Sequence, residues 1–164
     1  MKNITRTKIY LPMAAMILTA ALAIPAAAQQ LVPFKGTFQG SDTVTKPTIT
    51  TAAAGIGTLV GQLSLADVIT LASACCGTGT GHWIAANGDS IDTTAVVSAD
   101  FSTNALGYVT FTEIHTITSG TGGFTGAQGS FTVQRTHIEA PSDDGTHVTF
   151  GSFHGTITPP GAAQ

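Results

Sequence analysis

Apolar and polar side chains alternate with a period of two through most of the chain beyond residue 30, and no stretch there keeps an apolar period of 3.6 over a dozen residues. β-Branched residues, threonine above all, fill the alternating runs, and glycine, asparagine and proline punctuate them. The pattern predicts an all-β chain of eight strands: Phe34 to Val44, Pro47 to Leu59, Gly61 to Leu71, Gly79 to Ala86, Ser90 to Ala99, Gly107 to Thr118, Gly129 to Ile138 and His147 to Ile157. The second strand is the least defined, because Thr50 to Gly55 also reads as loop, and a short helix near Ala66 to Ala74 is the main competitor.

Turn chemistry separates the strands. Asn87-Gly88-Asp89 suits a tight hairpin, Ser102-Thr103-Asn104 a longer one and Pro141 to Gly145 another. Between the sixth and seventh strands, five glycines in the ten positions from Gly120 to Gly129 specify a connection in which positive φ or close backbone approach is needed. Short connections favour an antiparallel up-and-down barrel, which leaves no exposed edges, over a two-sheet sandwich. Only the Leu71 to Gly79 region is long enough to suggest a sandwich crossover.

Ahead of the first strand the pattern changes. Lys2, Arg6 and Lys8 precede a short apolar run from Leu11 to Ile24, and Ala26-Ala27-Ala28 offers a cleavage site before Gln29. Residues 1–28 therefore read as a secretory signal peptide, with 29–158 as the barrel domain and 159–164 as a flexible tail. The apolar run is shorter than the roughly 20 residues that span a bilayer. Export predicts a secreted or periplasmic protein with no membrane association after cleavage. Loss of the signal leaves Lys35, Lys46 and Arg135 against nine carboxylates, three positive charges less nine negative, or −6. That balance argues against nucleic acid or an anionic membrane surface as a partner, since both require clustered Lys and Arg.

The run Thr116-Ile117-Thr118-Ser119-Gly120-Thr121-Gly122-Gly123-Phe124-Thr125-Gly126-Ala127-Gln128-Gly129 resembles the glycine-rich hairpin of the allene oxide cyclase and dirigent superfamily, and is most similar to bacterial secreted members described as allene oxide cyclase barrel-like. Pro33-Phe34-Lys35-Gly36-Thr37-Phe38, Ala85-Ala86-Asn87-Gly88-Asp89 and Gly151-Ser152-Phe153-His154-Gly155-Thr156-Ile157 fit the same pattern. The resemblance spans nearly the whole mature chain. It implies a calycin-like eight-stranded barrel with a central cavity. Plant relatives cyclise an unsaturated fatty-acid epoxide or guide coupling of phenolic radicals, but no position here matches well enough to transfer a catalytic residue.

Alternation places Glu113 and His115 on the same face as Val109, Phe111 and Ile117, which makes that face the interior. Arg135 and His137 likewise share a face with Phe131 and Val133, and Asp67 shares one with Leu63, Leu65, Ile69 and Leu71. A hairpin turning about Phe124 sets Glu113 opposite Arg135. Ionised groups on a core face are costly unless paired, and such groups often mark sites. Glu113, His115, Arg135, Asp67 and His137 are thus the candidate cavity residues, weighed against a satisfied ion pair near the barrel rim. Trp83 reads as a partly exposed wall aromatic or as a cavity cap.

Cys75 and Cys76, the only cysteines, are adjacent. An oxidising compartment leaves three states open: a vicinal disulfide, which is the leading reading, an intermolecular bridge, or two packed thiols. The five histidines, His82, His115, His137, His147 and His154, are scattered by parity, and only His115 and His137 are predicted to meet, so no metal site or cofactor is predicted. The glycine-rich runs at 77–81 and 117–129 precede strands and lack the lysine of a phosphate loop. These observations favour a non-catalytic barrel that binds a small hydrophobic or amphipathic molecule. The rivals are an isomerase or cyclase using Glu113, His115 or Arg135 as acid, base or oxyanion partner, and an oligomeric extracellular module associating through its outer wall.

Overall fold

The computed structural model describes residues 30–100, 107–139 and 145–162. The signal segment, the turn at Ser102 to Asn104 and most of that at Pro141 to Gly145 lie outside the described residues. Eight strands follow one another: β1 (Val32–Thr45), β2 (Thr48–Gly57), β3 (Gly61–Leu71), β4 (Cys76–Ala85), β5 (Ser90–Asp100), β6 (Tyr108–Gly120), β7 (Gly129–Ile138) and β8 (Thr146–Ile157). Each pairs antiparallel with the next, and β8 pairs with β1 from Val32↔Ile157 to Thr43↔Thr146. The result is a closed up-and-down barrel, so the sandwich alternative is ruled out.

Boundaries move from the predicted ones for local reasons. β2 starts at Thr48 because Pro47, joined to Lys46 by a cis peptide, has no N–H to give to the ladder. The strand ends at Gly57 because Leu59 and Gly61 both take positive φ and reverse the chain. The helix over Ala66 to Ala74 does not form: β3 continues through Leu71 with Leu63, Leu65, Asp67 and Ile69 all buried, a period of two that a helix cannot give. β4 begins three residues early, at Cys76, since Gly77 pairs with both Leu71 and Val97. The supposed crossover is therefore a hairpin loop of residues 72–75.

Inward side chains divide the interior into layers. At the lower end, where β1 begins and β8 ends, Phe34, Phe38, Trp83, Phe131 and Phe153 pack with Leu63, Leu65, Ile91, Val133 and Ile157. Trp83 is 2 % exposed and meets Phe38, Phe131 and Phe153 edge to face, so it is a core residue and not part of the wall's outer surface. Rings of this size fit because glycines face them. Gly36 and Gly57 lie against Phe153, Gly55 and Gly151 against Phe38, and Gly155 against Phe131. At the upper end a smaller cluster of Ile49, Ile69, Ala95, Val97, Ala99, Val109 and Phe111 lines the wall.

The glycine-rich connection seals the lower end. A 3-10 turn at Gly122–Phe124 tucks Phe124 into the aromatic cluster, and Gly122 takes positive φ with its Cα against the Asp89 carboxylate. Gly123 N–H donates to Asp89 Oδ2 at 2.9 Å, and Gly161 N–H to Gly123 O at 2.7 Å, which draws the chain end onto the plug.

The glycine–aromatic fit makes a stability prediction. A methyl group at Gly36 would meet the Ile56 carbonyl and the Phe153 ring, whose Cζ lies 2.5 Å from the Cβ position. Gly36→Ala is expected to cost about 1–3 kcal/mol in urea unfolding, whereas the outward-facing Thr37→Ala should change stability by less than about 0.5 kcal/mol.

Candidate functional site

Between the aromatic plug and the upper wall lies a layer of ionisable side chains, each delivered by strand alternation to the inner face. Arg135 of β7 stands at its centre with 1 % exposure. Its Nη2 donates to Asp67 Oδ2 of β3 at 2.7 Å and to Glu113 Oε2 of β6 at 3.0 Å. Nη1 donates to Asp42 Oδ1 of β1 at 3.3 Å and to Thr51 Oγ1 of β2. Nε lies 2.7 Å from Glu113 Oε1, a close ion contact that is off the line of a good hydrogen bond. The Phe38 ring, 5.8 Å from the guanidinium carbon, closes the layer from below.

Two histidines extend the network in opposite directions. His115 Nε2 is 3.0 Å from Glu113 Oε2 and Nδ1 is 2.8 Å from Thr93 Oγ1, with the ring stacked on Phe131 at 5.1 Å. His137 Nδ1–H donates to Asp42 Oδ2 at 2.9 Å, while Thr51 Oγ1–H donates to Asp42 Oδ1 at 2.6 Å. Thr93 faces inward below His115 in phase with Ile91 and Ala95, and the β5–β6 register shift between Asp92 and Thr93 leaves Thr118 of β6 without a pairing partner. The two imidazoles do not meet: His137 instead packs against His147 of β8, with ring centres 4.6 Å apart. His82 and His154 are on the outer wall.

The hairpin register differs from the expected one by two residues. Glu113 pairs with Val133, and Arg135 pairs with Phe111. A shift of two preserves the face, and the long arginine side chain crosses the diagonal to reach Glu113. The ion cluster is mid-barrel and fully buried, not a pair at the rim. Asp42 and Thr51 belong to it and were missed. Their signal is parity, since Asp42 shares a face with Phe34 and Phe38, and Thr51 with Ile49.

Charge balance explains the protonation behaviour. Burial pulls the Asp42 pKa up, but the His137 hydrogen bond, the Arg135 charge and the Thr51 hydroxyl outweigh it and hold this carboxyl below its ordinary value. For Asp67 burial prevails over the attraction of Arg135 and His115, the Glu113 charge adds to the rise, and the pKa reaches about 6. Asp67 Oδ1 also has no hydrogen-bond partner. Burial works against the Arg135 charge, yet Glu113, Asp67 and Asp42 together raise its pKa further.

Above the layer is a cavity of about 360 Å³. Val44, Ile49, Leu71, Val109 and Phe111 form its walls, His137 is its polar floor, and the exposed Lys46, Ser73, Ala74 and Glu139 border it. Of the five candidate residues His137 alone reaches this cavity. Glu113, His115, Arg135 and Asp67 are joined to one another beneath it. Cys75, the last residue of the β3–β4 loop, and Cys76, the first of β4, form a disulfide next to the bordering Ser73 and Ala74. Among the described residues Asp67, Glu113 and His115 place ligand-type atoms within 4.8 Å of one another, but the Arg135 guanidinium already occupies the space between the two carboxylates, so a metal cation does not fit there.

Among known proteins, no family model, no curated protein and no solved structure matches this chain.

Removing the central cation leaves three buried carboxylates without their partner. Arg135→Met is expected to cost on the order of 3–5 kcal/mol in denaturant unfolding at pH 7. Asp67 and Asp42 act on stability in opposite senses. With its pKa raised from 3.8 to about 6, Asp67 holds a proton in the folded state that the unfolded chain has released. Its contribution is full below 3.8 and is lost as the pH rises through about 6, a change of about 3 kcal/mol. Asp42, held low, contributes above 3.8 and loses that contribution as the pH falls. Urea unfolding of Asp67→Asn at pH 4 and pH 7 should therefore lack the Asp67 share of the decline seen in the parent protein.

Proposed function

We propose that this chain is an exported barrel that holds one small apolar or amphipathic molecule in its upper cavity, with membership of the allene oxide cyclase and dirigent superfamily as part of the reading. The observation that carries the proposal is the cavity's construction: five apolar walls, a buried polar floor in His137, whose Nδ1–H is tied to the buried Asp42, and exposed polar groups, Lys46, Ser73 and Glu139, only at its border. A volume of about 360 Å³ is within the usual range for small-molecule sites. Small inward residues on β4 and β5, Gly77, Gly79, Ala95 and Ala99, leave the upper half less filled than the aromatic lower half. An apolar ligand body gains from leaving water there, and His137 orients its polar end.

Binding is favoured over catalysis because the acid–base groups are sealed off. Glu113, His115 and Arg135 spend their polar atoms on one another, on Asp42, Asp67, Thr51 and Thr93, and none borders the cavity. A cyclase using them would first have to dismantle the charge layer. The outer wall does not favour the oligomeric reading, because among the described residues its large exposed apolar side chains are spread along the chain, with Val96 beside Ile114, Val148 near Phe150, and Leu31, Ile56, Leu59 and Val68 outside those pairs.

Titration with the neutral apolar dye Nile red tests the proposal, alongside native mass spectrometry of protein from its own source for a retained molecule. Leu71→Trp places an indole in the cavity and should weaken dye binding at least about tenfold while the far-ultraviolet circular dichroism stays that of a folded barrel. Absence of saturable dye binding by the parent protein, or equal binding by the folded variant, overturns it.

A further inference from the structure

Two polar atoms deep in the barrel have no hydrogen-bond partner among the described residues: Asp67 Oδ1 of β3 and Trp83 Nε1 of β4. Their residues are 1 % and 2 % exposed, so bulk solvent does not reach them. An unpaired buried donor or acceptor keeps its full desolvation penalty, and native interiors rarely hold two such atoms side by side.

Both atoms lie against Gly81. A Cβ on that glycine would stand 2.5 Å from Asp67 Oδ1, 2.7 Å from Trp83 Nε1 and 2.8 Å from Thr93 Oγ1 of β5. The backbone brings them there, because Gly81 is the register partner of Asp67 on one side and of Thr93 on the other, and Trp83 follows it by two on the same inner face. Three polar atoms thus surround one point that a side chain at position 81 would fill. No two of them can be farther apart than two hydrogen bonds joined at one oxygen.

What each atom gives or takes selects the occupant. Trp83 Nε1–H only donates, which repels a cation, and the Asp67 carboxylate only accepts, which repels an anion. Thr93 takes its role from His115. Both Glu113 oxygens face Arg135, so Glu113 accepts from His115 Nε2–H, Nδ1 of the neutral ring is an acceptor, and the Thr93 hydroxyl donates its one proton to it at 2.8 Å. Thr93 Oγ1 is then left as an acceptor. An occupant that satisfies all three atoms accepts one hydrogen bond and donates two.

We propose that one water molecule is bound inside the barrel against Gly81, accepting from Trp83 Nε1–H and donating to Asp67 Oδ1 and Thr93 Oγ1. Water supplies that pattern from a single heavy atom, and about three bonds is the usual complement of a buried water. It closes a hydrogen-bonded circuit through Asp67, Arg135, Glu113, His115 and Thr93, and it ties Trp83 of the aromatic cluster to the charge layer. It also suits both forms of the Asp67 carboxyl, whose pKa burial raises to about 6: the water donates to Oδ1 of the carboxylate and accepts from the protonated acid.

Trp83 is the only tryptophan, so its indole N–H gives one unambiguous resonance. Rotating-frame NMR cross-relaxation between that proton and water, measured on the full mature chain, is paired with a crystal structure at a resolution that shows ordered solvent. The expected result is a cross-peak with the sign of a long-lived contact, and one solvent oxygen within hydrogen-bond distance of Trp83 Nε1, Asp67 Oδ1 and Thr93 Oγ1. The crystal separates water from the Thr93 hydroxyl as the source of the cross-peak. Gly81→Ala places a methyl group among the three atoms and should abolish the signal, whereas Thr80→Ala on the outer wall should leave it unchanged. If Gly81→Ala does not fold, the two measurements on the parent still decide. A missing cross-peak, an indole N–H that donates directly to Asp67 with no solvent oxygen at the site, or an undiminished cross-peak in folded Gly81→Ala each overturns the proposal.

Discussion

A guanidinium enclosed in the middle of the barrel is the interaction on which the rest depends. Arg135 contacts carboxylates from β1, β3 and β6 and a hydroxyl from β2, so one side chain ties five strands together across the interior. Taking these charges out of water costs several kcal/mol per ion, and only their mutual contact makes the burial tolerable. Three carboxylates against one guanidinium still leave an excess of negative charge. Burial, with the neighbouring Glu113 charge, raises the Asp67 pKa to about 6, and His115 and His137 lie against Glu113 and Asp42. None of these groups is acceptable in the interior without the others, which makes the layer a single unit.

That layer separates two halves with different packing. Below it, bulky rings and facing glycines fill the barrel, and the glycine-rich connection supplies Phe124 as a stopper. Above it, aliphatic side chains and Phe111 line a space that remains a cavity. The polar floor of the cavity is the upper edge of the charge layer, exposed through His137 alone. Function is therefore expected where the layer ends and not within it, because its own polar atoms are already engaged.

Much of this was legible in the chain. Alternation placed Glu113, His115, Arg135, His137 and Asp67 on the inner face, and all five are buried there. Glycine punctuation marked the hairpin ends, and the adjacency of Cys75 and Cys76 pointed to the disulfide present in the loop. Trp83 was misjudged because its neighbours Gly81 and Ala85 look like a wall with nothing to pack on. Its partners, Phe38, Phe131 and Phe153, come from strands 45 to 70 residues away in sequence. Asp42 was overlooked although its parity with Phe34 and Phe38 is plain.

The sequence by itself determined which segments are strands and which face of each is wet, because side-chain direction along a strand depends only on parity. What only the tertiary structure decided is depth along the barrel axis and neighbourhood around it. Those follow from closure of β8 onto β1 and from the register of every intervening pair. Closure brings Asp42 to His147 and His137 from more than 90 residues away, and sets Arg135 at the level where three carboxylates meet. No local pattern encodes either fact, since each depends on the sum of seven hairpin registers and on one pairing between the chain's two ends.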